Sequence, residues 1–392
     1  MLPVSVLPAV FFKDIEMKTK ILFSLFIATF FTVQAQVVDK PTYLNQMNDI
    51  LKGVPSWWKT GLDDVEKTVA GVKKGKVEQV CLSAGGRSVY RIFYGKPNDV
   101  KSTASLSSAM GAGNMKYYAD KSSPDYRPTL FLAGAVHAGE LEGVAALVNL
   151  VSVFETGKDL AGKTYPYFTA IFEKMNFIII LIANPDGRAR MPLPSMMDLD
   201  FESFRYLGQG TWKDGTLTGY PSCKQVHPIK DAAGFLGSYF NDDGVNLMHD
   251  NFFTNPSAET KAVLQTAETF APDFSVLFHG GSNNKPHMAG SCYLFQPTKA
   301  KINAFQQFIA DEYKAYNFSL GGEGVNDRSN VFNLTSAISQ VSGEPAITFE
   351  SNQGLNYTNE KEPWLVKYTY DEIYLHHILS IEGLCKFVMM NR

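Results

Sequence analysis

His137 and Glu140 stand three residues apart in the stretch TLFLAGAVHAGELE (129–142). A neutral imidazole and a carboxylate at that spacing face one point if the chain turns between them. That suits two ligands of a Zn²⁺ ion, which takes nitrogen and carboxylate oxygen at about 2.0–2.2 Å. Such an ion needs a third protein ligand and keeps one position open for water. Two other residues answer to these needs, because each closes an apolar run: His279 in FSVLFH (274–279) and Glu350 in AITFE (346–350). His279 completes a set of two histidines and one carboxylate. Glu350, left over from that set, is suited to act as general base on the water, whose pKa zinc brings toward about 7. Each residue alone also fits an ordinary structural role. Their common position at the ends of buried strands carries the argument.

The elements that must bring them together are apolar runs. Thr129–Val136, Asn176–Ala183, Phe274–His279 and Ala346–Glu350 read as strands buried on both faces. Strands of that kind belong to α/β proteins, so the fold class expected is a mixed, largely parallel twisted sheet with helices on both faces. Helices are expected over Pro41–Gly71, with Trp57 and Trp58 as packing residues, and over Glu140–Phe154, Tyr165–Met175, Ala300–Tyr316 and Glu362–Met390. Pro256–Phe270 reads as another, with Asn255 as N-cap and Pro256 at the first position. Val77–Phe93 reads as a hairpin around Gly85-Gly86. Ser102–Pro124 and Arg188–Asp250 read as loops, and Asn184-Pro185-Asp186-Gly187 as a turn beyond a strand's carboxyl end, where active residues gather.

Hydrophobic residues make up 45% of the chain and charged ones 19%, which fits a soluble, well-cored enzyme. A net charge of −3 and the lack of a basic tract exclude a nucleic-acid partner held by phosphate neutralisation. Met17–Ala35 has the pattern of a signal peptide: Lys18 and Lys20, an apolar core over 21–33, and the small-residue site Val33-Gln34-Ala35. The expected product starts at Gln36, with Met17 as the start of translation and 1–16 as an upstream extension. It is a single catalytic domain (36–392) without a membrane span, exported to a periplasmic or extracellular space. Cys81, Cys223, Cys292 and Cys385 form at most two bridges or remain buried thiols, and both readings stay open.

From about Gln79 to Gly354 the order of these pieces resembles the zinc carboxypeptidases of the carboxypeptidase A kind. Gly86-Arg87 resembles that family's Gly-Arg pair, HAGE (137–140) its His-x-x-Glu, and ANPDG (183–187) its Asn-Pro-Asp-Gly. GVNL (244–247) resembles the opening of its Gly-Val-Asp-Leu-Asn-Arg stretch, His279 its third zinc ligand, and ITFES (347–351) the strand bearing its general base. The resemblance implies one zinc ion on His137, Glu140 and His279, with Glu350 as base. Three positions depart from the pattern. Met248-His249 replaces the Asn-Arg pair that holds a substrate's terminal carboxylate, and an imidazole is no substitute for a guanidinium fork. No Tyr lies between Tyr316 and Tyr357, where the family carries one. Asn246 stands where many relatives have an Asp that orients a zinc-bound histidine.

The substrate-facing candidates are therefore His249, Asn246 and Arg328, the last as a replacement cation. Arg205 is preferred over Arg188 and Arg190 as the group that polarises the scissile carbonyl. His287 is a further histidine placed near the metal. His227, His376 and His377 are read as structural or exposed, and Asp242-Asp243-Gly244 as a turn rather than a Ca²⁺ site. The function expected is a carboxypeptidase-like zinc metallopeptidase hydrolysing a peptide or amide bond. The alternatives are a zinc amidohydrolase or deacylase acting on small acyl-amino acids, and a non-catalytic binding protein that retains the fold.

Overall fold

The computed structural model describes residues 43–281, 283–290, 293–321, 331–356 and 365–391. All belong to the unit Gln36–Arg392. The leader segment, Cys292 and Arg328 lie outside the described residues. The strands are β1 (Lys76–Leu82), β2 (Ser88–Tyr94), β3 (Thr129–Ala133), β4 (Asn176–Ile180), β5 (Gly210–Trp212), β6 (Ala233–Leu236), β7 (Phe274–Gly280), β8 (His287–Ala289) and β9 (Ala346–Ser351). Among the described residues, seven of them form one sheet in the order β1-β2-β4-β3-β7-β9-β8, and β5 pairs with β6 in a separate ribbon. The central neighbours β4, β3, β7 and β9 are parallel, and the outer strands pair antiparallel.

Alternation along the apolar strands explains the two layers of helices. Successive side chains of a strand leave opposite faces of the sheet. In β3, Leu130 and Leu132 enter one core while Phe131 and Ala133 enter the other. In β4, Phe177 and Ile179 part from Ile178 and Ile180 in the same way. The first core is closed by the helices Glu142–Thr156, Gln296–Lys314 and Tyr370–Met390, the second by Ala258–Phe270 and Leu334–Ser342. Glycine sets the closest approach. A Cβ on Gly143 would lie 2.2 Å from Cβ of Phe278, so the helix that follows the candidate ligands rests directly on β7. The Tyr370–Met390 helix is long and apolar enough to cross a membrane, yet most of its apolar residues are packed in the core.

Local chemistry moves several boundaries from the sequence reading. The expected single helix over Pro41–Gly71 is two, Tyr43–Gly53 and Leu62–Gly71, parted by a stretch containing Pro55. In that gap Trp57 packs on Tyr374 and Trp58 on Tyr370, with ring centroids 5.2 and 4.7 Å apart. The helix expected from Pro256 starts at Ala258, because Ser257 rather than Asn255 caps it, taking the amide of Thr260. The last helix starts at Tyr370 instead of Glu362, where Thr369 and Glu372 form a capping box. Ser102–Pro124 holds a short helix, Leu106–Gly111, capped by Ser105. Arg188–Asp250 is more ordered than a loop: it contains the helix Phe201–Gln209 and the β5–β6 ribbon. Cys81, Cys223 and Cys385 are free thiols, which removes the reading with two disulfides.

Candidate metal centre

The candidate centre lies beyond the carboxyl ends of three adjacent parallel strands, β3, β7 and β9. After β3 the chain turns at Ala135, which takes a left-handed φ of 50°, a region few non-glycine residues visit. The amide of Glu140 then donates to the carbonyl of His137 at 3.0 Å, and this turn lays the two side chains together. Gly139 sits inside it because a Cβ there would come 2.5 Å from the hydroxyl of Ser238. His279 is the sixth residue of β7, directly paired with Glu350 on β9. The structure thus brings together His137, Glu140, His279 and Glu350, all of which line one cleft.

Both imidazoles turn Nδ1 to Glu140. His137 Nδ1 lies 3.1 Å from Oε1, and His279 Nδ1 lies 2.7 Å from Oε2. The potential ligand atoms of the three residues fall within 4.8 Å of one another. Protonation logic tests whether this set suits a metal ion. Asn246 Oδ1 accepts the amide of Met248 at 3.0 Å, which fixes the side-chain oxygen. That oxygen also faces His137 Nε2 at 3.1 Å, so Nε2 carries the hydrogen. Once Nδ1 gives up any proton, as a metal ligand must, it presents a lone pair to a carboxylate oxygen. Two acceptors in contact call for a cation between them, and the N, N, O donor set is one that Zn²⁺ accepts.

Electrostatics agree with a site built for positive charge. Burial pushes the Glu140 carboxyl up, but His137 and His279 outweigh it and hold the group below the usual carboxylate range. His279 is opposed by burial and carried above the ordinary imidazole value by Glu140. Glu350 behaves differently. Burial raises it, His279 offsets part of that, and the nearby Glu140 raises it again.

The remaining candidates separate by contact. Asn246 is buried behind His137, whereas His249 lines the cleft and is pushed down to about 3 by burial and then by Lys224 and His137. His287 on β8 pairs across from Glu350, lines the cleft, and has Nδ1 3.2 Å from the Lys285 carbonyl. Arg188 is bound to the carbonyls of Thr60 and Met191, and Arg190 to Asp242 and the Phe240 carbonyl. Arg205 lines the cleft, its guanidinium 4.7 Å over the Phe201 ring. Asp242 is tied to Arg87 at 2.8 Å, and Arg87 also holds Asp186 at 2.8 Å. Three sequence motifs, Gly-Arg, Asn-Pro-Asp-Gly and the run before Gly-Val-Asn-Leu, therefore join in one ionic clamp. His376 and His377 are buried in the core of the terminal helix.

Sequence reasoning missed Tyr239. Its ring lies flat on His137, with centroids 3.9 Å and planes 2° apart, and its hydroxyl is raised by burial and by Glu140. It also missed Tyr220 and Lys224 in the cleft wall. All three sit in the segment read as loops, and none carries a spacing signal of its own.

No family model matches this chain, and no curated relative does. Solved structures do share its fold. A metallo-carboxypeptidase from Burkholderia cenocepacia matches with a TM-score of 0.53 at 15% identity, over 83% of this chain and 68% of that one. A metallo-carboxypeptidase from Pseudomonas aeruginosa, solved with (2-guanidinoethylmercapto)succinic acid, matches at 0.50 and 15%, over 84% and 68%. Bovine thrombin-activatable fibrinolysis inhibitor, in complex with tick carboxypeptidase inhibitor, matches at 0.50 and 12%, over 86% and 100%. The architecture is that of the metallo-carboxypeptidases: a mixed sheet of seven strands with helices.

Proposed function

We propose that this chain is a zinc-dependent hydrolase of the carboxypeptidase kind, cleaving a peptide or amide bond in the cleft beyond β3, β7 and β9. The observation that carries the reading is the meeting of His137, Glu140 and His279 beside Glu350, on a fold shared with metallo-carboxypeptidases. When bound, a zinc ion supplies an acidified water and a Lewis acid for the carbonyl. His137, Glu140 and His279 hold that ion, and Asn246 fixes the tautomer of His137.

Glu350 is the base. Burial raises its pKa, and so makes its carboxylate a stronger acceptor than an exposed one. It takes a proton from the attacking water and returns it to the leaving nitrogen. Arg205 offers its guanidinium to the oxygen on which negative charge develops. His249 stays neutral at working pH, so it offers a hydrogen bond rather than a charge. A peptide terminus and a small acyl-amino acid both carry a free carboxylate, so hydrolysis of acyl-amino acids stands as the second reading. Export rests on the leader pattern at 17–35, and amino-terminal sequencing of secreted protein should begin at Gln36.

Mass-spectrometric profiling of a peptide library and of acyl-amino acids with zinc-loaded protein tests the reading and separates its two forms. Glu350→Gln should lower kcat by about 10²–10⁴-fold or more while zinc stays bound. A wild-type protein that hydrolyses nothing in either set would leave a binding protein on a peptidase fold.

A further inference from the structure

Two cations line the cleft: Arg205 on the helix Phe201–Gln209 and Lys224 in the segment that follows. Neither pairs with a carboxylate among the described residues. The guanidinium of Arg205 lies over Phe201, and the ammonium of Lys224 lies 4.4 Å over the Tyr220 ring and 3.4 Å from its hydroxyl. Several cations elsewhere in the fold do have such a partner, Arg87 and Arg190 in Asp242, Arg91 in Glu78 and Lys121 in Asp273. The carboxylates of the cleft, Glu140 and Glu350, are engaged at the candidate metal centre.

The two cations flank one short segment. A Cβ on Gly219 would stand 3.3 Å from Arg205 Nη1, and Lys224 folds back on Tyr220 one residue further along. A cation seated on an aromatic face is held in place without losing its charge, so less ordering remains to be done on binding. Positions 248–249 hold Met and His, and among the described residues the fixed positive charge lining the cleft comes from Lys224 and Arg205.

We propose that Lys224 forms a cationic subsite that receives a carboxylate of the substrate and determines specificity, leaving Arg205 beside it to the carbonyl oxygen. The proposal rests on the hydrolase reading of the cleft, and both substrate forms of that reading provide such a group. The carboxylate comes either from the free terminus or from an acidic side chain beside the scissile bond.

The test is binding of acetylated dipeptide pools to zinc-loaded Glu350→Gln protein, which does not consume them, by titration calorimetry. Four pools distinguish the sources: last residue Glu or Gln, each as free acid or as amide. Free acids should bind about ten-fold tighter than amides if the terminus is read, and Glu-amide tighter than Gln-amide if the side chain is. Lys224→Met should erase the preference, Lys224→Arg should keep it, and rising salt should shrink it. Lys224→Gln serves in place of Lys224→Met if that variant melts early. Equal binding of all four pools, no binding of any pool at millimolar concentration, or a preference unchanged in Lys224→Met would overturn the proposal. Failure of the hydrolase reading shows separately, as a wild-type protein without turnover that still prefers acids.

Discussion

His137 follows the carboxyl end of β3 and His279 is the last residue but one of β7, while His376 and His377 sit side by side in the terminal helix, and little of any of the four rings reaches solvent. What they face differs. The first pair turns Nδ1 to the two oxygens of Glu140. His376 lies among Tyr313, Phe318 and Tyr368, with centroids 5.4, 4.2 and 4.9 Å away, and neither ring nitrogen has a partner among the described residues. His377 packs on Phe278 and Phe349 and gives Nδ1–H to the Ile373 carbonyl at 2.8 Å. Those two phenylalanines directly precede His279 and Glu350 in their strands. One step along β7 or β9 therefore passes from a core that wants a neutral ring to a site that wants charge. Burial alone turns histidine into an aromatic filler, and a carboxylate at hydrogen-bond distance turns it into a ligand.

The largest effect that would break this contrast concerns metal content. Wild type should carry one zinc per chain, whereas Glu140→Gln and His279→Ala should carry none. His376→Phe and His377→Leu should retain it. Because an ion that binds only the folded state stabilises it, zinc at about 100 times its Kd should add about 2.7 kcal/mol. A chelator should lower the Tm of wild type and leave Glu140→Gln unmoved. Elemental analysis beside thermal melts decides this. Zinc retained by Glu140→Gln would show that the pairs do not differ as described.

That His137, His279 and Glu350 meet was legible because each closes an apolar run, and a buried strand announces itself by composition. The same property made the sheet readable, since Phe131 and Ile178 are as apolar as Leu130 and Ile179, as two-sided burial demands. The rest of the cleft was not legible. Tyr239, Tyr220 and Lys224 come from irregular backbone whose shape is set by distant partners, such as the Ala138 amide on the Ser238 carbonyl and Arg190 on Asp242. Sequence separates His279 from His376 only by the element each sits in, a strand end against a terminal helix. Each lies next to apolar residues, and only the third dimension supplies Glu140 to one and Phe318 to the other.

The second effect is on acid stability, and it has opposite signs in the two regions. His377 and His376 are pushed down by burial to about 4 and about 3, below the ordinary 6.5. Below pH 6.5 the unfolded chain binds protons that the folded one refuses. The stability these groups contribute is complete above pH 6.5 and is lost as pH falls toward about 4 and then about 3. For His377 the loss is on the order of 3 kcal/mol. His279 in zinc-free protein runs the other way, its contribution being present below 6.5 and lost as pH rises through its raised value. Urea unfolding between pH 7.5 and 4 should show a shallower acid limb in His377→Leu than in wild type. Parallel limbs would mean that the buried ring takes up its proton without cost.

The smallest effect sharpens the comparison within the site itself. Asn246 gives His137 what nothing gives His376, an acceptor that fixes which nitrogen keeps its hydrogen. Its own Nδ2 is buried without a partner among the described residues, so the amide is held by its oxygen. Asn246→Leu removes that acceptor, frees the His137 tautomer, and should weaken zinc binding by about 10–100-fold without unfolding the protein. Asn246→Asp offers a full negative charge at the same atom, makes the imidazole a more basic ligand, and should bind zinc more tightly than wild type. Competition against a chelator of known affinity measures both. If Asn246→Leu bound zinc as wild type does, the 3.1 Å contact would be mere packing, and the orientation of His137 would have to come from the Tyr239 ring stacked on it.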